Sequence, residues 1–407
     1  MRTRKVFEVL LGLQGLIVED VEIGDDGIVV KGRRGYQKRT CSGCQRRVRA
    51  AYDHSGRRWR HLDIFGRKCF IEVSDVRRLD CPRCGVRVES VPWARHGSAF
   101  TRAMEDAVAW LTKRATRTAV SEWCSIAWVT VGSIVGRIVD EELPESRFDN
   151  LFAIGVDEFS YGRKKVLTLV VDHLGGGLIW GGEGQGGDTL NQFFDHIGPE
   201  RAASIRYATM DMDAGYTKSV QARLPQAEII YDPFHVTQLV NKALDEVRRE
   251  EMRRAPTGEA SRSIKGTRHA LRKAPWNLTL EDDRRLRDLQ VANRRLYRAY
   301  LLKEAILEFY TYADHDRAKG RLLAALAWAA RSRLAPFKRL AKSLRKRLAS
   351  VVRFIACPFS NGRLEATCRH FRMLSARAYG FGSASALLAM GFLFCGKVEV
   401  SLPWGSR

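Results

Sequence analysis

Along the chain the spacing of apolar side chains changes character several times, and each change predicts a different kind of element. Residues 5–98 read as short strands and turns. Within them 24–30 and 67–76 have strand composition, with many Gly and Arg residues between. From 100 to 142 the apolar positions move to helical spacing. Met104, Val108 and Leu111 share one face of a helix over 104–114. Thr116-Arg117-Thr118 reads as a turn or helix start, 119–127 as a second short helix and 133–139 as a third. Pro144 and mixed polar residues mark a linker over 143–150. Next come apolar β-type runs at 151–156, 166–171 and 178–180, separated by glycines, then a helix over 188–197. A strand at 205–210, a helix through 220 and a short strand at 227–231 repeat the alternation, which predicts an α/β class of fold. From about 236 to 350 the chain is rich in Ala, Leu, Arg and Glu with few β-branched runs, so this stretch is expected to be all-helical. A further helix is predicted over 360–378 and a short apolar one over 384–396, with no clear internal repeat and no long low-complexity segment.

No run reaches the roughly 18 apolar residues of a spanning helix; the longest candidate, 384–395, is too short. Residues 1–18 are basic and then apolar, but Glu8 and Gln14 interrupt them and no small-residue cleavage site follows, so they read as mature protein. Charge sharpens the picture. With 69 Lys+Arg against 46 Asp+Glu, the formal net charge of +23 favours a polyanionic partner, nucleic acid before a membrane surface. A chain of 407 residues, 45% hydrophobic, buries real cores, and its length predicts about two to four domains. Nine cysteines, an odd count in a large basic chain, argue against a disulfide framework and for a reducing compartment, hence a cytoplasmic protein acting on DNA.

The cysteine spacing adds chemistry. Cys41-Ser42-Gly43-Cys44 and Cys81-Pro82-Arg83-Cys84 are two C-x-x-C knuckles, a set that fits the tetrahedral shell of structural Zn²⁺. The gap between the knuckles is longer than in compact fingers, so a small sheet is expected to fill it. The alternatives are four unrelated buried cysteines or a redox dithiol. Arg57, Arg58, Arg60, Arg67 and Lys68 lie between the knuckles, either as phosphate contacts or as a solvated basic face; His54 and His61 are spare ligands to a set already complete. The three short helices after 100 have the spacing of a helix-turn-helix, with Lys113, Arg114, Arg117 and Arg137 as DNA contacts. A plain packing bundle has the same pattern.

A third constellation is acidic. The run 151–156 is expected to end on Asp157-Glu158, and the run through Thr209-Met210 leads to Asp211, with Asp213 two residues on. A carboxylate at the end of a buried strand is costly unless it binds something. Two acids on neighbouring strands suit a pair of Mg²⁺ ions about 4 Å apart, which hold the attacking and leaving oxygens of a phosphoryl displacement. The helix starting near Ser360 offers Glu365 as a third, with Arg369 and Arg372 one and two turns on. Spacing alone favours reading these three as a surface ion-pair stripe. The glycines of 181–187 lack the Gly-Lys-Ser/Thr ending of a phosphate loop and read as a turn. Lys338, Arg339, Lys342, Arg345, Lys346 and Arg347 surround Leu340, Leu344 and Leu348, an amphipathic helix that is either an ordinary solvated face or a clamp on DNA.

Several blocks in order carry a family likeness. Gly155-Val156-Asp157-Glu158-Phe159-Ser160, Thr209-Met210-Asp211-Met212, Asp232-Pro233-Phe234-His235-Val236, Ser360-Asn361-Gly362-Arg363-Leu364-Glu365 and Arg377-Ala378-Tyr379-Gly380-Phe381 resemble the ISL-three family of bacterial insertion-sequence transposases, enzymes with an acidic (DDE) triad. The likeness covers about 150 to 400, and the knuckles and helix-turn-helix also look like that family's. It implies a ribonuclease-H-like core, a mixed sheet flanked by helices, with an all-helical insertion before the last acid. The implied division is 1–98 zinc ribbon, 99–149 helix-turn-helix, 150–236 first part of the core, 237–350 insertion and 351–407 second part of the core. It implies the triad Asp157, Asp211 and Glu365, holding Mg²⁺ or Mn²⁺, with Asp213 and Asp232 as second choices and His235 close by without an assigned role. One departure stands out: where the family has Glu-Gly-x-Asn, this chain has Glu365-Ala366-Thr367-Cys368. The implied partners are double-stranded DNA, as terminal inverted repeats and target, and a second copy of the chain, at the nucleoid of a bacterial cell. Two rivals remain at this point: a catalytically inactive, repressor-like DNA-binding descendant, and a structure-specific nuclease that cuts without joining.

Overall fold

A computed structural model describes residues 3–255, 261, 264–357 and 359–402. It divides into one unit of Met1–Pro144 with Leu374–Arg407, and another of Glu145–Met373.

The first unit begins with helix α1 (Thr3–Leu11), in a stretch whose sequence reads as strands and turns; it forms because Phe7 and Leu11 pack on the sheet that follows. That sheet has strands β1 (Leu16–Gly24), β2 (Gly27–Arg34), β3 (Ala51–Ile64), β4 (Arg67–Cys81) and β5 (Gly85–Val88), in the order β1-β2-β4-β3 with β5 on β4. The expected short strands are in fact a long hairpin, β3 and β4 having 14 and 15 residues. Its loop is Phe65-Gly66, both at positive φ (49° and 76°), the two-residue turn that matches strand twist. Only one face of the hairpin is apolar: Trp59, Ile71, Val73 and Val76 bury with Val30 and Trp93, while the arginines stay on the other. Helices α2 (Arg102–Thr112), α3 (Arg117–Cys124) and α4 (Trp128–Glu142) follow, the first two capped by the hydroxyls of Thr101 and Thr116. The axes of α3 and α4 are bent by 103° across their short break, within the helix-turn-helix range.

The C-terminal segment joins this unit. Helix α15 (Ala384–Cys395) brings Met390 and Leu393 into the core of Val108, Val120, Val131, Ile134 and Ile138, along with Leu374 and Val398. The expected piece 351–407 is thus divided near 374 by its packing. No single described helix is long and apolar enough to cross a membrane.

The second unit is built on β6 (Ala153–Gly162), β7 (Lys165–Asp172), β8 (Leu178–Glu183), β9 (Tyr207–Met210) and β10 (Glu228–Tyr231), in the order β10-β9-β6-β7-β8. The first three run antiparallel; β9 is parallel to β6, and β10 to β9. This is the ribonuclease-H-like arrangement. Helices α5 (Gly187–Ala202) and α6 (Ala214–Arg223) are so close at their starts that a Cβ on Gly187 would lie 2.7 Å from the Gly215 carbonyl oxygen, which fixes the end of the glycine run as a tight entry to a helix. Helix α7 (Pro233–Arg254) starts in the sheet region and runs on unbroken, so the boundary expected at 236 falls inside it. Then come α8 (Thr267–Arg272), α9 (Leu280–Ala292), α10 (Arg294–Leu307), α11 (His315–Arg331), α12 (Ala335–Lys346), α13 (Leu348–Ala356) and α14 (Gly362–Arg377). One continuous core links the sheet (Ile154, Val156, Met210) to the helical stretch (Val240, Leu322, Phe337), so 237–350 shares its interior with the core instead of forming its own. The basic amphipathic helix is interrupted: α12 ends before Arg347, leaving Leu340 and Leu344 buried on it and Leu348 to begin α13.

Candidate active site

Parallel strand β9 pairs with β6 only across Ala153–Gly155 and stops at Met210. Past that point one edge of β6 has lost its partner, although β6 itself continues to Gly162. Asp157 therefore sits inside a strand and not, as the sequence suggests, at its end; the gap comes from the shortness of its neighbour. Asp211 follows β9 directly, and Asp232 follows β10 at the N-cap of α7, whose first turn carries His235. Ligand atoms of Asp157, Asp211 and His235 all lie within 4.8 Å of one another. His235 Nε2 is 2.6 Å from Asp211 Oδ1. Asp157 accepts a hydrogen bond from the Glu158 N–H at 2.7 Å and faces the Cys368 thiol at 3.8 Å.

The electrostatics follow from this crowding. Burial, and then the negative charge of Asp211, push the Asp157 carboxyl up to about 6. Burial also raises Asp232 and Glu158. His235 is raised although burial alone would lower it, because the hydrogen bond and charge of Asp211 outweigh that penalty. Asp213 serves the fold instead. Its carboxylate caps α6, accepting from the N–H groups of Gly215 and Tyr216 at 2.7 and 3.0 Å.

Glu365 stands apart from the three grouped side chains. It lies in the first turn of α14, exposed, one turn before Cys368, and makes no ion pair or side-chain hydrogen bond among the described residues. Arg369 and Arg372 are exposed and likewise unpaired, so the ion-pair stripe that spacing allowed is not formed. The start of α14 is anchored at the acidic end of the sheet by residues that lie in the family blocks but have no assigned role there. Thr209, inside β9, donates its hydroxyl to the Asn361 side-chain oxygen and shares a 2.7 Å hydrogen bond with His173 Nε2. The Asn361 N–H donates to Asp232 at 3.3 Å. The block Ser360-Asn361-Gly362 was the available signal, but nothing in a lone Asn announces a buried anchor.

In the first unit, Cys41, Cys44, Cys81 and Cys84 bring their sulfurs within 4.8 Å of one another, with Cys44 and Cys81 at 3.6 Å and no disulfide. The β3–β4 hairpin fills the gap between the knuckles, as expected. N–H groups of Arg83 and Cys84 lower the Cys81 thiol to about 7, while the contact with the Cys44 sulfur, and then burial, push the Cys84 thiol up to about 12. The predicted DNA contacts fare differently. Arg114 is exposed, stacked 3.6 Å above the Trp110 ring; Arg117 lies 3.5 Å over Trp128 and donates to its carbonyl at 2.9 Å. Lys113 donates to the Val398 carbonyl at 3.1 Å. Arg137 holds the fully buried Glu105 with contacts of 2.9 and 2.6 Å, which makes it a charge partner inside the bundle and not a free DNA contact. The exposed tip of α4 is apolar instead, with Trp128 and Val129.

Comparison with known proteins agrees with these three parts. A family model described as "Transposase" matches residues 154–390, "Helix-turn-helix domain of transposase family ISL3" matches 89–139, and "zinc-finger of transposase IS204/IS1001/IS1096/IS1165" matches 37–84. The chain is 35% identical over 437 residues to the transposase for insertion sequence element IS1557 of Mycobacterium tuberculosis, covering 99% of this chain and 98% of that one. It is 29% identical over 392 residues to the transposase for insertion sequence element IS1001 of Bordetella parapertussis, covering 94% and 95%.

Proposed function

Because this chain belongs to the ISL3 family of insertion-sequence transposases, we propose that Asp157, Asp211 and Glu365 form the acidic site at which it cuts and joins DNA strands. The observation that carries this reading is the meeting of Asp157 and Asp211 at the edge of β6 that β9 leaves open. The site fits a divalent cation. Two carboxylates and an imidazole present oxygen and nitrogen ligands within 4.8 Å, and the Asp157 carboxyl, raised by burial and then by the charge of Asp211, is a group whose ionised form a cation would stabilise. Mg²⁺ or Mn²⁺ would be held by Asp157 and Asp211, with Glu365 offered from the exposed first turn of α14. Bound there, the ions would activate the attacking hydroxyl and neutralise charge on the transferred phosphate.

The protein's own part is positioning. His235 holds Asp211 in place; Asn361, through Thr209 and Asp232, holds the start of α14, the helix that carries Glu365. Cys41, Cys44, Cys81 and Cys84 would hold a zinc ion that ties the two knuckles of the first unit together. That unit reads the terminal inverted repeats, with Lys113, Arg114 and Arg117 around the helix-turn-helix, and Arg369 and Arg372 on α14 contact backbone phosphate. Two ends must be joined to one target, so the working species on DNA is at least a dimer, at the bacterial nucleoid.

The test is a cleavage and strand-transfer assay on labelled DNA carrying the sequences that flank the gene, with Mg²⁺, Mn²⁺ or chelator, and Asp157→Asn alongside. Metal-dependent cutting and joining, absent in the variant, is the expected result. Tight end binding without cutting under any metal would sink the catalytic reading, and nicking without joining would make the protein a nuclease.

A further inference from the structure

The acidic site opens into a cavity of about 630 Å³, and one wall of that cavity is a single helix. Helix α7 carries His235, Gln238, Lys242, Asp245 and Arg249 at alternating steps of three and four residues, which puts all five on one face. The opposite face holds Val236, Val240, Ala243, Leu244 and Val247, all buried in the core. The polar face is therefore not a solvated leftover on a loosely held helix. It is fixed by packing, and it begins at the side chain that touches Asp211. From His235 to Arg249 it extends about 21 Å at 1.5 Å per residue, the axial rise of about six nucleotides of a DNA strand.

Along this face neutral groups give way to cations, with one carboxylate, Asp245, set among the cations. Next to the acids stand neutral hydrogen-bonding groups, Gln238 and the side-chain oxygen of Asn241, which is buried without a hydrogen-bond partner. Farther out stand cations: Lys242 and Arg249 from α7, joined by Arg268 and Arg272 from α8. All four are exposed. Lys242 and Arg272 have no ion pair among the described residues. Arg249 and Arg268 share Asp245, at 3.0 and 3.9 Å, which ties α8 to α7. One carboxylate is thus shared by two of the four cations, and Lys242 and Arg272 stay uncompensated beside them, so the arrangement makes sense when a polyanion lies among them.

Building on the acidic-site reading above, we propose that the Lys242, Arg249 and Arg272 face of α7 and α8 is a track for the DNA strand leaving the cut phosphate. The backbone runs outward from Asp157 and Asp211, past the neutral groups, onto the cations. The track explains why the helical stretch shares the core of the sheet: a strand guide must be rigid with respect to the acids it serves.

The test uses the full chain and labelled duplex carrying the DNA that flanks the gene. Binding is measured by anisotropy across a salt series, and Mn²⁺ binding by calorimetry without DNA. Each phosphate contact removed should flatten the slope of log affinity against log salt by about 0.9. The triple variant Lys242→Gln, Arg249→Gln, Arg272→Gln should thus lose about 2.7 of slope, while keeping its Mn²⁺ isotherm and its melting temperature. Arg317→Gln with Lys319→Gln, exposed cations of α11 outside the cavity, should leave the slope unchanged. An unchanged slope in the triple variant, or an equal loss in the α11 pair, would overturn the track. Asp157→Asn separates the two readings. If it binds Mn²⁺ as tightly as wild type, the acidic site is wrong, whatever the slopes report.

Discussion

The four cysteines and the acidic cluster gather their ligand atoms to the same closeness, within 4.8 Å, by opposite means. The cysteines come from two tight turns, each supplying a pair three residues apart, and the sulfurs are packed with Val48 and Leu79 in a small core of their own. The set is closed and full at four. The acidic cluster draws Asp157 from a strand edge, Asp211 from a strand end and His235 from the first turn of a helix, and the third expected acid waits outside the group on another helix. One cluster is complete before anything arrives; the other is crowded by like charge and open on one side. The difference separates an ion that holds a fold from ions that serve a reaction.

Removing ligands should therefore have opposite effects on stability. Cys41→Ser with Cys81→Ser takes out half of a closed shell, and zinc in such shells contributes on the order of 10 kcal/mol at neutral pH. Elemental analysis should find no zinc, and the first unit should melt at a lower temperature and lose end binding. Asp157→Asn should lower strand cutting by about a thousandfold, at the upper end for losing one transition-state charge stabiliser. Yet in metal-free protein it should melt higher than wild type. If the variant melts lower, Asp157 is a structural acid and the contrast between the clusters collapses.

The pH profile of metal-free protein sharpens the same point. The Asp157 carboxyl is raised in the folded state, from 3.8 to about 6, so the folded chain binds more protons than the unfolded one across that window. Stability should fall as pH rises from about 4 to 6, by roughly 2–3 kcal/mol for a shift of this size, and the penalty should persist above 6. Asp157→Asn, or saturating Mn²⁺, should flatten the fall in chemical-denaturation curves. A wild-type profile that is already flat in metal-free buffer would remove the like-charge strain from the acidic cluster.

The two clusters also differ in how far the amino-acid sequence revealed them. The knuckles are local, so spacing alone named all four cysteines and the sheet between them. The acids are brought together by strand order, which spacing does not encode. Asp157 and Asp211 were legible as acids following apolar runs, but the cause of their meeting, the early end of β9, was not. Glu365 rested on family likeness and still does, since an exposed helix turn gives no packing reason for it. His235 and Asn361 act through contacts between elements far apart in the chain, and no periodicity marks such residues. The long β3–β4 hairpin was read too short because arginines interrupt its apolar pattern and the first eight residues of β3, Ala51 to Arg58, bury no side chain. In the helix-turn-helix the elements were legible and the charges were not: a burial pattern does not say which arginine has a carboxylate beside it.

That last distinction yields the smallest effect and the cleanest separation. Arg137 and Arg114 carry the same charge in the same three-helix bundle. Arg137 contacts Glu105, a carboxylate with no exposed surface, which also binds Arg95 and the Ser98 hydroxyl. Arg137→Gln removes one of several partners, so the loss should be about 1–3 kcal/mol of stability, visible as a lower melting temperature, with the salt slope of DNA binding unchanged. Arg114 stacks on Trp110 at the surface and supports nothing buried. Arg114→Gln should leave the melting temperature within error and flatten the salt slope by about 0.9, one phosphate contact. If the two variants exchange these phenotypes, the helix-turn-helix meets DNA with the face of α4 that here holds Glu105, and the bundle must open to bind.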